Sequence, residues 1–472
     1  MIRGLLTAVM ALVSTIAAAD GVPTPTVVGP LPDSARQGTL VWNVAKLGYV
    51  AEEYLVSGTA DVYDAVAMAD AVNMLTRDMP RDMARRDDYS RPVLSAAQPY
   101  VTRIIVYRPK APERFSGNVV VETAHPLQGG LAIVWSLLSG YFAQHGDIYV
   151  GIAHPVTFDS LRHSNPARYG QLSAVDPTQL WGMIAQVGAL IKGAGSTSPL
   201  RRYRVSHLFL TGYSYTGVAA TTFANFHHDS AVLADGRHVF DGYLPMANSM
   251  YVRPIDVPVI RVMTQSDFNS FGGLNNRRED SDAPHSRFRL WEVAGASHLN
   301  ASPVIAPGAE PWVAATPLVE PPNLPQFSAS DCSKTFPSGS GPDTLPLTYV
   351  MVSAFEHLYA WVRGGQPPPR AARIQTNADG SPAIDASGNA VGGLRLPELV
   401  VPAASYGAGS GACFLFGYRL PYGPDRMRSL YGSRDRYLAR LREATRAQVQ
   451  HGWLRPQEAQ SIERAARLSQ AF

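Results

Sequence analysis

Three residues stand where nucleophilic catalysis would need them. Ser214 lies in HLFLTGYSYTG, directly after an apolar run and just before the small-residue segment VAATTFANF. A serine in that position sits on a tight strand-to-helix turn that lifts its hydroxyl above the sheet. Asp267 follows the apolar run VPVIRVM in TQSDF, and His298 follows FRLWEV in AGASHLN. A serine hydroxyl is a weak nucleophile until a histidine takes its proton. An aspartate against the imidazole fixes the tautomer and stabilises the charge that forms. The chemistry implied is acyl transfer through a covalent serine intermediate.

The short motif alone is not specific. Gly212 satisfies the small-residue position before the serine, whereas Thr216 stands where G-x-S-x-G has its second glycine, and Gly217 comes one residue later. Specificity comes from the order serine, acid, histidine, with each residue on a loop after a successive strand. Other carboxylates compete for the acid role. Asp280 and Asp282 in RREDSD read as members of a charged, solvated loop, and Glu292 lies inside the last strand. The oxyanion would be met by the backbone N–H of Tyr215 and by one from TAHPLQGG, where Gly129 and Gly130 read equally well as an ordinary turn. His125 and His154 also follow strands, and either line a pocket or are polar residues satisfied in place. The pair His227–His228 invites a metal reading, but adjacent residues point to different helical faces and there is no H-x-x-x-H or cysteine cluster. No catalytic metal is expected. No glycine-rich nucleotide motif occurs, so no cofactor is expected either.

The elements that would position these residues follow from periodicity. Apolar runs at 49–57, 102–107, 118–122, 147–153, 207–211, 242–247, 257–263 and 288–293 predict strands. Amphipathic patterns at 131–144, 178–191, 215–226 and 347–362 predict the helices between them, giving an α/β fold with a mostly parallel sheet and helices on both faces. The charged insertion 59–100 reads as a solvated excursion or a lid, and 301–345, rich in Pro, Ser and Gly, as a long loop. A C-terminal extension, 366–472, is Pro/Gly-rich at first and ends in two short helices near 434–448 and 456–468. No linker separates a second core, so residues 20–472 form a single elaborated domain.

Composition narrows the setting. The 472 residues are 46% hydrophobic and 17% charged, with formal net charge +3 and no basic block. That is a globular composition with nothing to suggest nucleic acid. Residues 1–19, with Arg3, an apolar run from Leu5 to Ile16 and small residues at Ala17 and Ala19, read as a secretory signal peptide. The run is shorter than the ~20 residues a membrane span needs, and no later segment is a candidate. A periplasmic or secreted protein follows. Its only two cysteines, Cys332 and Cys413, would form a disulfide there, the alternative being two buried thiols.

The stretches GYVAEEYLVSGTADVYD, NPARYGQLS, GYSYTG, FDGYLP, FRLWEVAGASH, HLYAWVRGGQPPP, DASGNAVGGLRLPELVVP and ACFLFGYRLPY together resemble the bacterial "α/β hydrolase domain" family, within the α/β-hydrolase superfamily. The resemblance runs from about Val41 to the C-terminal helices. In that family the elbow resembles G-x-S-x-S/T, which accommodates Thr216, and the WEVAG-x-x-H block lands on His298. Two positions depart: Gln265 stands where the acid loop resembles T-E-T-D, and Asn300 replaces an aspartate after the histidine. The resemblance implies the α/β-hydrolase fold and hydrolase chemistry and gives no substrate; the activated serine in an exported chain points to a carboxylic ester, small-molecule or polymer-derived. An acyltransferase using the same residues and a binding protein retaining the fold are the alternatives.

Overall fold

The computed structural model describes residues 21–32, 44–64, 85–126, 132–193, 195–269, 276–300, 331–409 and 413–469. Residues 1–20, with the expected signal peptide, most of 301–345, and Gly129 and Gly130 lie outside them. Thirteen strands are numbered in chain order: β1 (Thr26–Val28), β2 (Tyr49–Tyr63), β3 (Val93–Pro109), β4 (Asn118–Thr123), β5 (Ile148–Ile152), β6 (Ser173–Ala174), β7 (His207–Tyr213), β8 (Gly242–Met246), β9 (Val259–Thr264), β10 (Phe288–Val293), β11 (Gly341–Pro342), β12 (Ala404–Ala408) and β13 (Gly417–Pro421). The central sheet runs β1-β2-β3-β5-β4-β7-β8-β9-β10, with β6 paired to β3. From β5 to β10 the pairing is parallel, and the β1-β2-β3 edge is antiparallel.

Among the described residues the longer helices are α1 (Ile133–His145), α2 (Leu180–Lys192), α3 (Tyr215–Phe226) and α4 (Leu347–Val362), which pack on this sheet, and α5 (Arg434–Gln450) and α6 (Pro456–Leu468), which pack on each other. Neighbouring residues of β7 show that both faces are covered. Leu208 packs against Gly188 of α2, whereas the Phe209 ring lies 4.7 Å from Tyr359 of α4. Successive side chains on a strand point to opposite faces, so α2 and α4 lie on opposite sides. Every position of β4, β5, β8, β9 and β10 is buried accordingly.

The structure differs from the sequence expectation in three places. The predicted helix at 178–191 begins as a 3-10 turn, Pro177–Gln179, because Asp176 and Gln179 form a capping box there and α2 starts only at Leu180. The insertion 59–100 is not all excursion: β2 and β3 run into it as the arms of a long hairpin. Gln186 of α2 fastens those arms, accepting from the Tyr100 hydroxyl at 2.9 Å and donating to the Thr59 carbonyl at 2.6 Å. Residues 65–84 of this insertion are outside the described set. Finally, the long loop and the extension meet, since β11 from the former pairs with β13 of the latter in a three-stranded sheet, β11-β13-β12.

The extension also covers the last strand of the central sheet. Leu394 N–H donates to the Glu292 carbonyl at 2.7 Å, and Ala294 N–H donates to the Leu394 carbonyl at 3.1 Å, so Leu394 bridges to Val293 at the end of β10.

Candidate functional site

Ser214 joins β7 to α3 with φ 60° and ψ −125°, a backbone conformation that a non-glycine residue adopts only when its surroundings enforce it. Two glycines make the turn possible. A Cβ on Gly212 would lie 2.0 Å from the Thr216 carbonyl oxygen, and one on Gly217 would lie 2.3 Å from that of Met246. The Ser214 N–H donates to the Met246 carbonyl at 3.1 Å, which ties the turn to β8.

Thr216 has a definite task at the position where the motif usually has glycine. Its hydroxyl receives the Tyr213 N–H at 2.8 Å and donates to Glu122 Oε1 at 2.7 Å. Glu122, at the end of β4, is fully buried and also receives the Val134 N–H at the start of α1 (3.0 Å) and the Tyr149 hydroxyl. One carboxyl thus links the elbow to the far side of the 123–130 loop. Burial pushes its pKa up to about 7, although all these hydrogen bonds pull the other way. When Glu122 is protonated, its O–H donates to the Thr216 hydroxyl, which turns instead to the Tyr213 carbonyl 2.9 Å away.

Beyond the turn, the three sequence-derived residues come together in one row. His298 Nε2 lies 2.8 Å from Ser214 Oγ, and Nδ1 lies 2.7 Å from Asp267 Oδ1. Asp267 is fully buried, and its Oδ2 receives the Thr264 N–H (3.0 Å) and hydroxyl (2.7 Å). The neighbours of Asp267 sew the acid loop to the histidine loop. Gln265 receives the Gly295 N–H at 2.7 Å, the Ser266 hydroxyl receives the His298 N–H at 3.1 Å, and the Tyr213 hydroxyl donates to the His298 carbonyl at 2.5 Å. Asn300 donates to the Leu345 carbonyl at 3.2 Å.

The rival carboxylates are engaged elsewhere. Glu292 forms a two-pronged pair with Arg277, at 2.7 Å on each oxygen. Asp282 pairs with Arg289 and Arg370. Asp280 corrects the expectation of a solvated side chain: it is only 6% exposed and holds Arg373 at 2.8 Å, a partner supplied by the C-terminal extension.

Around the serine, Tyr215 supplies the first N–H of α3, one of the helix-start donors that have no acceptor within the helix. Gly129 and Gly130 lie outside the described residues. The Tyr215 ring is edge-on to both His125 and His154, with centroids 5.7 and 5.5 Å away. His154 is satisfied in place. Its Nδ1 receives the Val156 N–H, so the neutral ring carries its proton on Nε2, 3.3 Å from the Tyr215 oxygen. Burial holds both imidazoles neutral, pushing His154 down to about 3 and His125 to about 4, the latter helped by nearby His298.

The other wall comes from the extension. Cys332 and Cys413 form a disulfide that closes 81 residues. The next residue, Phe414, sets its ring 5.9 Å from that of His298, and Leu415 receives the Leu299 N–H at 2.7 Å. Sequence reading missed Phe414 and Glu122. The lone carboxylate in the apolar run NVVVET was a usable signal for the latter, because an unpaired buried charge needs a reason. A cavity of about 370 Å³ lined by Tyr63, Trp181, Gln186 and His227 sits at the opposite end of α3 from Ser214.

Comparison with known proteins came to the following. Residues 23–464 match the family described as "Alpha/beta hydrolase domain". No curated protein matches the chain. Similar solved structures include a putative dienelactone hydrolase from Klebsiella pneumoniae, 12% identical over 41% of this chain and 79% of that one with a TM-score of 0.26. A poly(3-hydroxybutyrate) depolymerase from Bordetella parapertussis is 14% identical over 42% and 81%, with a TM-score of 0.28. A feruloyl esterase module from Clostridium thermocellum is 11% identical over 42% and 77%, with a TM-score of 0.23.

Two outcomes are expected from this geometry. Because the folded pKa of Glu122 is raised, its contribution to stability is fully present below about pH 4.5 and lost as pH rises through about 7. Glu122→Gln should therefore gain roughly 2 kcal/mol relative to wild type between pH 5 and pH 8, read from urea unfolding at the two pH values. A difference independent of pH would mean that the carboxyl does not titrate there. Reduction of Cys332–Cys413 should lower stability by up to ~4 kcal/mol and speed hydrogen exchange at the Leu299 amide; protection unchanged by reductant would show that the bridge does not hold the histidine loop.

Proposed function

The chain belongs to the alpha/beta hydrolase domain family, and on that premise we propose that it is an exported serine hydrolase that cleaves carboxylic esters through an acyl-enzyme. The observation that carries this reading is the unbroken row Asp267–His298–Ser214, with contacts of 2.7 and 2.8 Å. His298 takes the proton as Ser214 Oγ attacks the ester carbonyl, and Asp267 keeps Nδ1 protonated so that Nε2 is the free base. The developing oxyanion is received by the Tyr215 N–H and by a donor from the 123–130 loop. His298 then returns the proton to the departing alkoxide. In the second half-reaction it activates the water that releases the acid. An ester asks least of this machinery, because an alkoxide leaves more readily than an amine anion.

Export is supported by the N-terminal signal pattern together with the Cys332–Cys413 bridge. A single elaborated domain, 20–472, is supported by one contiguous apolar core that reaches from Tyr49 to Ile462. The substrate is a small-molecule or polymer-derived ester, admitted past Tyr215, His125 and Phe414.

Ser214→Ala and His298→Ala should each lower kcat on a p-nitrophenyl ester by at least ~10³, and the double variant should be little worse, because the two act as a unit. Asp267→Asn should fold and lose at least ~10² by favouring the wrong tautomer, while Asp280→Asn and Asp282→Asn stay within a few-fold. Wild-type activity in Ser214→Ala would sink the assignment. A fluorophosphonate probe that labels wild type but not Ser214→Ala excludes a mere binding protein, and ester exchange exceeding hydrolysis with an added alcohol would mark an acyltransferase.

A further inference from the structure

At the end of α3 remote from Ser214, three side chains from three separate segments converge. His228 follows the helix, His238 closes the turn that contains Gly236, and Asp256 lies in the connection between β8 and β9. The two imidazoles stack with centroids 4.0 Å apart at 25°. His228 Nε2 meets Asp256 Oδ1 at 2.7 Å, and His238 Nε2 meets Oδ2 at 3.0 Å. The candidate ligand atoms all lie within 4.8 Å of one another.

We propose that His228, His238 and Asp256 bind a divalent transition-metal cation of the zinc type, which fastens these three segments together. The hydrogen-bond pattern calls for a cation. His238 Nδ1 lies 3.2 Å from the His228 carbonyl oxygen, a group that only accepts, so Nδ1 bears the proton. The neutral ring then presents a bare Nε2 lone pair to a carboxylate oxygen 3.0 Å away, and two acceptors face each other. A positive charge must reconcile them, either a second proton or a metal ion.

The surroundings favour the metal. Two neutral imidazole nitrogens and a carboxylate oxygen form a donor set that zinc takes readily, leaving its fourth position for water. His228 Nδ1 lies 2.9 Å from the Tyr243 hydroxyl, the kind of partner that orients a ligating ring from behind. Arg287 donates to the backbone carbonyl of Asp256 at 3.2 Å, which leaves both carboxylate oxygens to the histidines. His228 is buried, while His238 and Asp256 are 23% and 44% exposed, so an ion can reach the cluster from solvent. Metal–ligand bonds of ~2.0–2.2 Å at tetrahedral angles place ligand atoms ~3.3–3.6 Å apart, so the two present hydrogen bonds must open by roughly 0.3–0.9 Å. The turn around Gly236, at φ 81°, can supply that shift. Twelve helical residues at ~1.5 Å each put the cluster ~18 Å from the serine, so the ion's role is structural.

The test uses tag-free, full-length protein stripped with chelator and dialysed. Zinc chloride titrated by calorimetry should bind at one equivalent per chain, and about 100 µM zinc should raise the melting temperature by several degrees. His238→Gln and Asp256→Asn, both at partly exposed positions, should weaken binding at least tenfold while leaving fluorophosphonate labelling at Ser214 unchanged. Cobalt(II) should give the visible absorption of a tetrahedral nitrogen and oxygen site in wild type alone. No zinc binding by folded wild type would overturn the proposal and leave a protonated ion pair only. Equal binding by wild type and both variants would overturn it in favour of another site.

Discussion

Ser214 holds a backbone conformation that costs roughly 1–3 kcal/mol, and much of the surrounding structure serves to keep it there. Gly212 and Gly217 clear the space on either side of the turn, and β8 receives the serine amide. Thr216 grips the turn from inside. A threonine is compatible with the elbow because its hydroxyl bridges Tyr213 to the buried Glu122. Each such bond contributes only about 1 kcal/mol net, so no single one holds the serine. Their common anchor does, since Glu122 also fixes the start of α1.

The histidine loop is governed by a similar device. Asp343, fully buried, receives both the N–H and the hydroxyl of Ser297, the residue before His298, at 2.7 and 2.8 Å. Burial pushes its pKa up to about 7. Two hidden carboxyls therefore stand behind the hydrogen-bonded pair of Ser214 and His298, one tied to the turn that carries the serine and one to the residue before the imidazole. Both lie out of reach of solvent, and their hydrogen bonds orient backbone rather than substrate. Precise placement of Ser214 against His298 is in this sense an outcome of buried polar chemistry as much as of apolar packing.

How much of this could be read from the sequence depended on distance along the chain. Local periodicity placed 215–226, 347–362 and 288–293 to the residue, because burial on both faces of the sheet leaves a strong apolar pattern. Chain order was enough to pick out Ser214, Asp267 and His298, since each ends or follows an element that the pattern already defined. The hairpin arms 59–63 and 93–100 were obscured because they are largely polar or half-exposed, with only Ala60, Val62 and Tyr100 buried, too few positions to stand out as an apolar run. Apart from the cysteine pair, most long-range partners left no local trace. Asp280 looked solvated because Arg373 lies far along the chain, and the pairing of Gly341 with Arg419 joins two segments that each read as loop. Phe414, next to the bridged Cys413, meets His298 across a separation of more than a hundred residues that no local pattern records.

The bridge from Leu394 to the end of β10 has a bearing on what the chain does in company. A parallel strand at the margin of a sheet offers unpaired amides and carbonyls to any other strand of suitable length. Here the extension occupies that margin, pairing with Glu292 and Ala294, while the buried Ile374 donates its N–H to the Glu292 carboxylate and receives Arg277 on its carbonyl. The residues after Gln366 thus act as a stopper against sheet growth between molecules. A chain lacking them would retain the serine, the aspartate and the histidine, yet it would expose a sticky flank and at the same time lose the disulfide and Phe414 beside the histidine loop, so protection from association and support of the site reside in one segment.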